Sequence, residues 1–275
     1  MKIITTKLLK NSKAYLKGYI RSNVYGRKPK NEKFPAMIIL PGGSFTHIKP
    51  QQAESFALAF TALGYQSFYL RYSFQQEHKP LYPYPMIELC KAIEYVRAHA
   101  DEWDINPNQI VVAGFSVGGH VVSLLNDFYD SPWFKEESGF KDPNKIKPNV
   151  TILGYPVIDL RMGFPEKLST AKRWIDNLRE LRPEYHVTDT NVPTFTWVTA
   201  DDNFVPSQNA MVYAYELNKH HIPSEFHMYY HGPHGLALAN RVTAWSPETD
   251  DPHVSSWVPL ADEFIHSIFK RQAKK

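Results

Sequence analysis

Residues 109–119 read QIVVAGFSVGG, and the fold follows from this stretch. Gln109 to Gly114 is a short, β-branched apolar run, the composition of a strand buried on both faces. Val117 to Phe128 reads as an apolar helix. Between them stands Gly114-Phe115-Ser116-Val117-Gly118, a G-x-S-x-G motif at a strand-to-helix turn. A chain that reverses this sharply leaves the serine in strained backbone with its hydroxyl projecting. Side chains two residues before and after the serine would collide there, so the motif needs glycine at both places. The helix that begins at once aims free N–H groups and a positive dipole end at the same point. A glycine-rich turn around an ordinary serine is the bland alternative. The strand before and the helix after favour a nucleophile.

Outward from this turn, strands and helices alternate. Ile3 to Leu9 and Ala14 to Ser22 are strand-like, and a polar turn from Asn23 to Lys33 follows. Ala36 to Leu40, Tyr65 to Tyr72, Val150 to Tyr155, Pro193 to Thr199 and Glu225 to Tyr230 read as strands. Gln51 to Leu63, Met86 to Ala100, Ser207 to Lys219 and Leu260 to Arg271 read as helices. Such alternation predicts an α/β fold: a mostly parallel central sheet with helices on both faces. Two polar, Trp-containing insertions, near 127–149 and 161–191, fall after sheet strands, on the side where open α/β sheets bind ligands. No linker divides the chain, so residues 1–275 are expected to form one domain.

The 275 residues are 43% hydrophobic and 14% aromatic, enough for a sizeable core. The formal net charge is only +3, with Lys and Arg scattered, so neither nucleic acid nor an anionic membrane is an expected partner. Cys90 stands alone and implies no disulfide. The opening MKIITTKLLKNSKAY has no apolar signal region, and no apolar stretch has bilayer length. The expectation is a soluble, cytoplasmic protein.

A hydroxyl nucleophile needs a base, and the base needs an orienting acid. Both are sought at the ends of later strands. TADDNFVP at 199–206 offers Asp202 and, as the alternative, Asp201. Either could instead be a turn residue or a cap for the following helix. HGPHG at 231–235 offers His234, with His231 as the spare, on a glycine-flanked loop after a strand. PGGSF at 41–45 follows another strand, and its free N–H groups at Gly43 and Ser44, with that of Val117, could receive a developing oxyanion. A plain β-turn is the alternative there. Phe45, Tyr155, Phe204 and Trp245 could line an aromatic mouth that stacks on sugar rings, although such residues are more often packing residues. The histidines lack the spacing of a metal site, so neither a metal nor a cofactor is expected.

Together, PGGSF at 41–45, LRYS at 70–73, WDINPNQIVVAGFSVGGH at 103–120, TADDNFVP and HGPHGLALA at 231–239 resemble the acetyl esterase and lipase-like α/β-hydrolases that include bacterial acetyl-xylan and sugar-ester esterases. The resemblance runs from about Pro35 to the C-terminus. Ser44 stands where relatives commonly have a third glycine, and Val117 where many have alanine. The resemblance implies an α/β-hydrolase fold and a triad of Ser116, Asp202 and His234. It also implies hydrolysis of short-chain, acetyl esters of carbohydrates without a cofactor. A small ester is then the expected partner, and surface helices and an edge strand leave room for a homodimer. Rival expectations are a prolyl-oligopeptidase-type peptidase, a lactone hydrolase, and a catalytically silent binder on the same fold.

Overall fold

The computed structural model describes residues 1–22, 33–178 and 180–274. Most of the polar turn expected at Asn23 to Lys33 lies outside the described residues.

Eight strands form one sheet: β1 (Lys2–Lys7), β2 (Tyr15–Ile20), β3 (Phe34–Leu40), β4 (Gln66–Arg71), β5 (Ile105–Phe115), β6 (Val150–Gly154), β7 (Thr194–Thr199) and β8 (Ser224–Tyr229). Their spatial order is β1-β2-β4-β3-β5-β6-β7-β8. β1 pairs with β2, and β2 with β4, antiparallel. All pairings from β4 through β3 and β5 to β8 are parallel. The helices are α1 (Pro50–Ala62), α2 (Tyr84–Ala98), α3 (Val117–Phe128), α4 (Pro132–Ser138), α5 (Leu168–Trp174), α6 (Gln208–Lys219), α7 (Pro252–Ser255) and α8 (Trp257–Gln272). The protein has the α/β-hydrolase fold.

The unbroken apolar runs of β3 and β5 have a direct cause: both faces of the sheet are covered. Along β5, Ile110 and Val112 pack on the side of α2 and α3, while Val111, Ala113 and Phe115 pack on the side of α1 and α8. β3 alternates in the same way, with Ala36, Ile38 and Leu40 on the first side and Met37 and Ile39 on the second. Period-2 side-chain alternation therefore feeds two cores rather than one core and solvent.

β5 begins at Ile105, four residues before the expected start, and Phe34 opposes Ile105 across an irregular register. Asn106, Pro107 and Asn108 mask this portion, because they lack strand composition. The insertions are not wholly irregular. The first carries α4 and a short 3-10 turn at Pro143–Lys145, and the second carries α5 and another at Pro183–Tyr185. Trp174 at the end of α5 is buried and pins the second insertion to the core, packing on Phe45 at 4.9 Å between ring centres.

Close approach at the strand-to-helix turn explains the glycines. A Cβ on Gly118 would stand 2.2 Å from the Leu40 carbonyl oxygen, and one on Gly114 would stand 2.4 Å from the Gly118 oxygen. Backbone cannot yield as a side-chain tip can. Gly118→Ala is therefore expected to destabilise the fold by about 3 kcal/mol, read as a lower midpoint in urea unfolding. An unchanged midpoint would contradict the packing described.

Candidate active site

β5 ends at Phe115, α3 starts at Val117, and Ser116 alone makes the turn, with φ 54° and ψ −123°. A non-glycine residue there is strained, and hydrogen bonds over-determine it. Ser116 donates its N–H to the Gly154 carbonyl at 3.1 Å, and its own carbonyl accepts from the N–H of Gly119 at 2.9 Å and of Val157 at 3.1 Å. These bonds tie the turn to the end of β6.

His234 follows β8 on the 231–235 loop, and its Nε2 lies 2.9 Å from Ser116 Oγ. Its Nδ1 lies 2.6 Å from Asp202 Oδ2. The Asp202 side chain is fully buried at the end of β7. Its second oxygen, Oδ1, accepts the N–H groups of Phe204 at 3.0 Å and Val205 at 2.9 Å. The carboxylate is thus held from behind and presents one oxygen to the imidazole. The Tyr155 ring meets that imidazole edge-on at 4.9 Å, and the Phe204 ring lies 5.2 Å from it.

The alternatives Asp201 and His231 are used for something else. Asp201 Oδ2 bonds His231 Nδ1, and Asp201 Oδ1 accepts the Gly232 N–H at 2.8 Å. Thr199 Oγ1 donates to the Gly232 carbonyl at 2.7 Å. This second Asp–His pair clamps the base of the loop that carries His234. Paired aspartates in the sequence signal such a clamp only once the loop is known to return to the end of β7.

The 41–45 loop crosses in front of the serine. A Cβ at Gly42 would lie 3.0 Å from Ser116 Cβ. Gly43 has φ 134°, and a Cβ there would stand 1.8 Å from the His47 carbonyl oxygen, so only glycine fits. Ser44 and Phe45 both have left-handed φ, 53° and 55°. Among the described residues, the N–H groups of Gly43, Ser44 and Val117 have no hydrogen-bond acceptor. Three free donors around the serine suit a group that gains negative charge.

A cleft of about 370 Å³ opens over Ser116 and His234, lined also by Gly43, Ser44, Tyr155, Phe204 and Trp245. Phe204 and Trp245 are 49% and 56% exposed, placing both rings at the rim. Tyr155 is buried in the wall, where its Oη accepts the Ala237 N–H at 3.2 Å. Burial pushes its phenol well above the usual range, so it stays neutral. Phe45 departs from the expectation that placed it in the mouth. Its left-handed backbone turns the ring into the core, fully buried against Tyr72, Tyr82 and Trp174. His47, Lys49 and Gln52 also line the cleft and were not singled out from sequence, because only the loop path brings them beside the serine.

His120, one turn into α3, is buried with its Nδ1 2.7 Å from Tyr82 Oη, and its Nε2 lacks a partner among the described residues. Burial lowers its pKa to about 3, against the pull of Asp159. The unfolded chain protonates this group near 6.5, so the folded state binds fewer protons between the two values. Stability from neutral His120 is therefore full above pH 6.5 and is lost as pH falls toward 3. His120→Asn is expected to flatten the acid-side fall of Tm between pH 6.5 and about 4. An unchanged slope in calorimetry would contradict this.

Among the described residues, no group of three His, Cys, Asp or Glu side chains is arranged to hold a metal ion. No helix among them is long and apolar enough to cross a membrane.

The model of the BD-FAE family matches residues 23–217. The carboxylesterase Cest-2923 from Lactobacillus plantarum WCFS1 superposes with a TM-score of 0.91 at 27% identity, covering 97% of this chain and 98% of that one. An acetyl ester-xyloside bifunctional hydrolase from Caldicellulosiruptor lactoaceticus superposes at 0.76 with 31% identity, over 93% of this chain and 88% of that one. An acetylxylan esterase from Xylanibacter ruminicola is 26% identical over 51% of this chain and 26% of its own length. The chain spans less than half the length of the curated relatives it matches.

Proposed function

The chain belongs to the BD-FAE family, and on that premise we propose that it is a serine carboxylesterase that removes short acyl groups, acetyl foremost, from carbohydrate hydroxyls. The observation that carries this reading is the single imidazole of His234 bridging Ser116 Oγ at 2.9 Å and the buried Asp202 at 2.6 Å.

Ser116 Oγ attacks the ester carbonyl carbon as its proton passes to His234 Nε2. The carbonyl oxygen becomes an oxyanion, received by the N–H groups of Gly43, Ser44 and Val117. Asp202 fixes the imidazole tautomer and stabilises the imidazolium. Collapse breaks the ester C–O bond, and the leaving alcohol takes the proton from His234. Water then attacks the acyl-serine with His234 again as base, the bond from the acyl carbon to Ser116 Oγ breaks, and Oγ takes the proton back from His234 as the carboxylic acid departs.

The carbohydrate part rests on three supports. One relative is named an acetylxylan esterase and another an acetyl ester-xyloside bifunctional hydrolase. The exposed Trp245 and Phe204 rings at the rim offer faces for sugar C–H groups. Lys49 and Gln52 offer donors for hydroxyls. Acetate release from acetylated xylo-oligosaccharides, followed enzymatically, is the test. Release by the wild type supports the reading. Cleavage of p-nitrophenyl acetate without release from the sugar would remove the carbohydrate part and leave the esterase. Trp245→Ala is expected to raise KM for the sugar ester about fivefold to tenfold, the loss of one stacking contact.

A further inference from the structure

A cavity larger than the one over Ser116 lies elsewhere on the molecule. A cleft of about 770 Å³ opens between residues 77–84, the end of α3 with α4, residues 175–177, residues 180–181 and His186, and it shares no lining residue with the cleft over the triad. One layer of rings separates the two. Tyr82 lines the larger cleft and packs edge-on against the buried Phe45 at 5.8 Å, next in the chain to Ser44.

We propose that this larger cleft is a second carbohydrate-binding site, one that takes a neutral oligosaccharide rather than an ester to be cleaved. Two large rings line it while remaining 41% and 37% exposed, Tyr84 and Trp133. Here the exposed rings are not scattered on a convex surface but share the wall of one cavity, the setting in which apolar surface meets a ligand. Both rings are braced rather than loose. Tyr84 stacks on His78 at 3.6 Å with 13° between planes, and Trp133 meets Phe128 edge-on at 5.2 Å. A braced ring gives up little side-chain entropy when a flat ligand settles on it.

The polar groups between the rings are of both kinds. Glu137 and Asp176 offer acceptors, and no ion pair among the described residues involves either. Lys79 offers a donor, and the His186 ring lines the wall with its Nε2 buried and without a partner among the described residues. A cationic ligand would suit the rings and carboxylates but would meet Lys79. An anionic ligand would suit Lys79 but would meet Glu137, Asp176 and Glu180, with Glu77 behind them on Arg71. A purely apolar ligand would strand all of them. A ligand with C–H faces for the rings, and hydroxyls that both donate and accept, satisfies the set. The volume is in the range of small-ligand sites.

The inference does not depend on the chemistry at Ser116, and its failure is separable from failure of the esterase reading. Calorimetric titration of Ser116→Ala protein with xylohexaose and cellohexaose, which carry no ester, is the test. At least one of them is expected to bind, and Trp133→Ala and Tyr84→Ala, each added to Ser116→Ala, to raise Kd tenfold or more. Trp245→Ala at the other cleft is expected to leave that Kd within twofold. Unaltered thermal midpoints would show that the variants are folded. No heat with either sugar, or binding weakened by Trp245→Ala but not by the other two, would overturn the proposal.

Discussion

Ser116→Ala lowers kcat for p-nitrophenyl acetate by about 10⁶-fold, the scale seen when the serine of a Ser-His-Asp set is removed elsewhere. The fold stays intact, with Tm unchanged. The substitution deletes one oxygen and keeps Cβ, so the left-handed turn at φ 54° is no worse for alanine than for serine. The backbone bonds that tie the turn to β6 do not involve the side chain. His234 loses one neighbour but faces an open cleft where water can replace it. Any remaining rate is then the contribution of the N–H donors and of binding. Stopped assays at high enzyme concentration, with calorimetry on the same sample, check both halves of the prediction. Activity within tenfold of wild type in a folded variant would contradict the role assigned to Ser116.

Asp202→Asn drops kcat/KM by about 10⁴-fold, by analogy with the same change in another triad. The local bonds explain the direction. Phe204 and Val205 donate two N–H groups to Oδ1, so an asparagine must leave its carbonyl oxygen there. Its NH₂ is then turned toward His234 Nδ1. The imidazole can accept that bond only with its proton on Nε2, which faces Ser116 Oγ and can no longer take the serine proton. The neighbouring Asp201→Asn touches only the loop clamp, so its effect is expected to stay within about tenfold. Steady-state kinetics on the two variants side by side separate the orienting acid from its neighbour. Equal losses would contradict the division of roles.

The turn at Ser116 and the helix from Val117 to Phe128 were legible because local chemistry alone specifies them. The glycines at 114 and 118 are required by backbone approach within a few residues. The parallel sheet was legible for a related reason, since strands covered on both faces read as unbroken apolar runs. Three things were not legible. The choice between Asp201 and Asp202 depends on which carboxylate meets a loop some thirty residues later. The inward turn of Phe45 depends on partners at positions 72, 82 and 174, none of them near in sequence. The helices α4 and α5 are seven residues each, too short to announce a helical period, and they hold their shape by packing Phe134 and Trp174 into the core. The larger cleft escapes a sequence reading for the same cause, because three separate segments assemble it.

A fluorophosphonate carries an electrophile that an activated serine captures far faster than an ordinary hydroxyl does, so the intact mass of the labelled protein, followed by peptide mapping, tests the central claim most directly. One adduct is expected, on the peptide containing Ser116, absent from Ser116→Ala and formed far more slowly in Asp202→Asn. A folded wild-type protein that gains no mass, or gains it at another residue, would contradict the account.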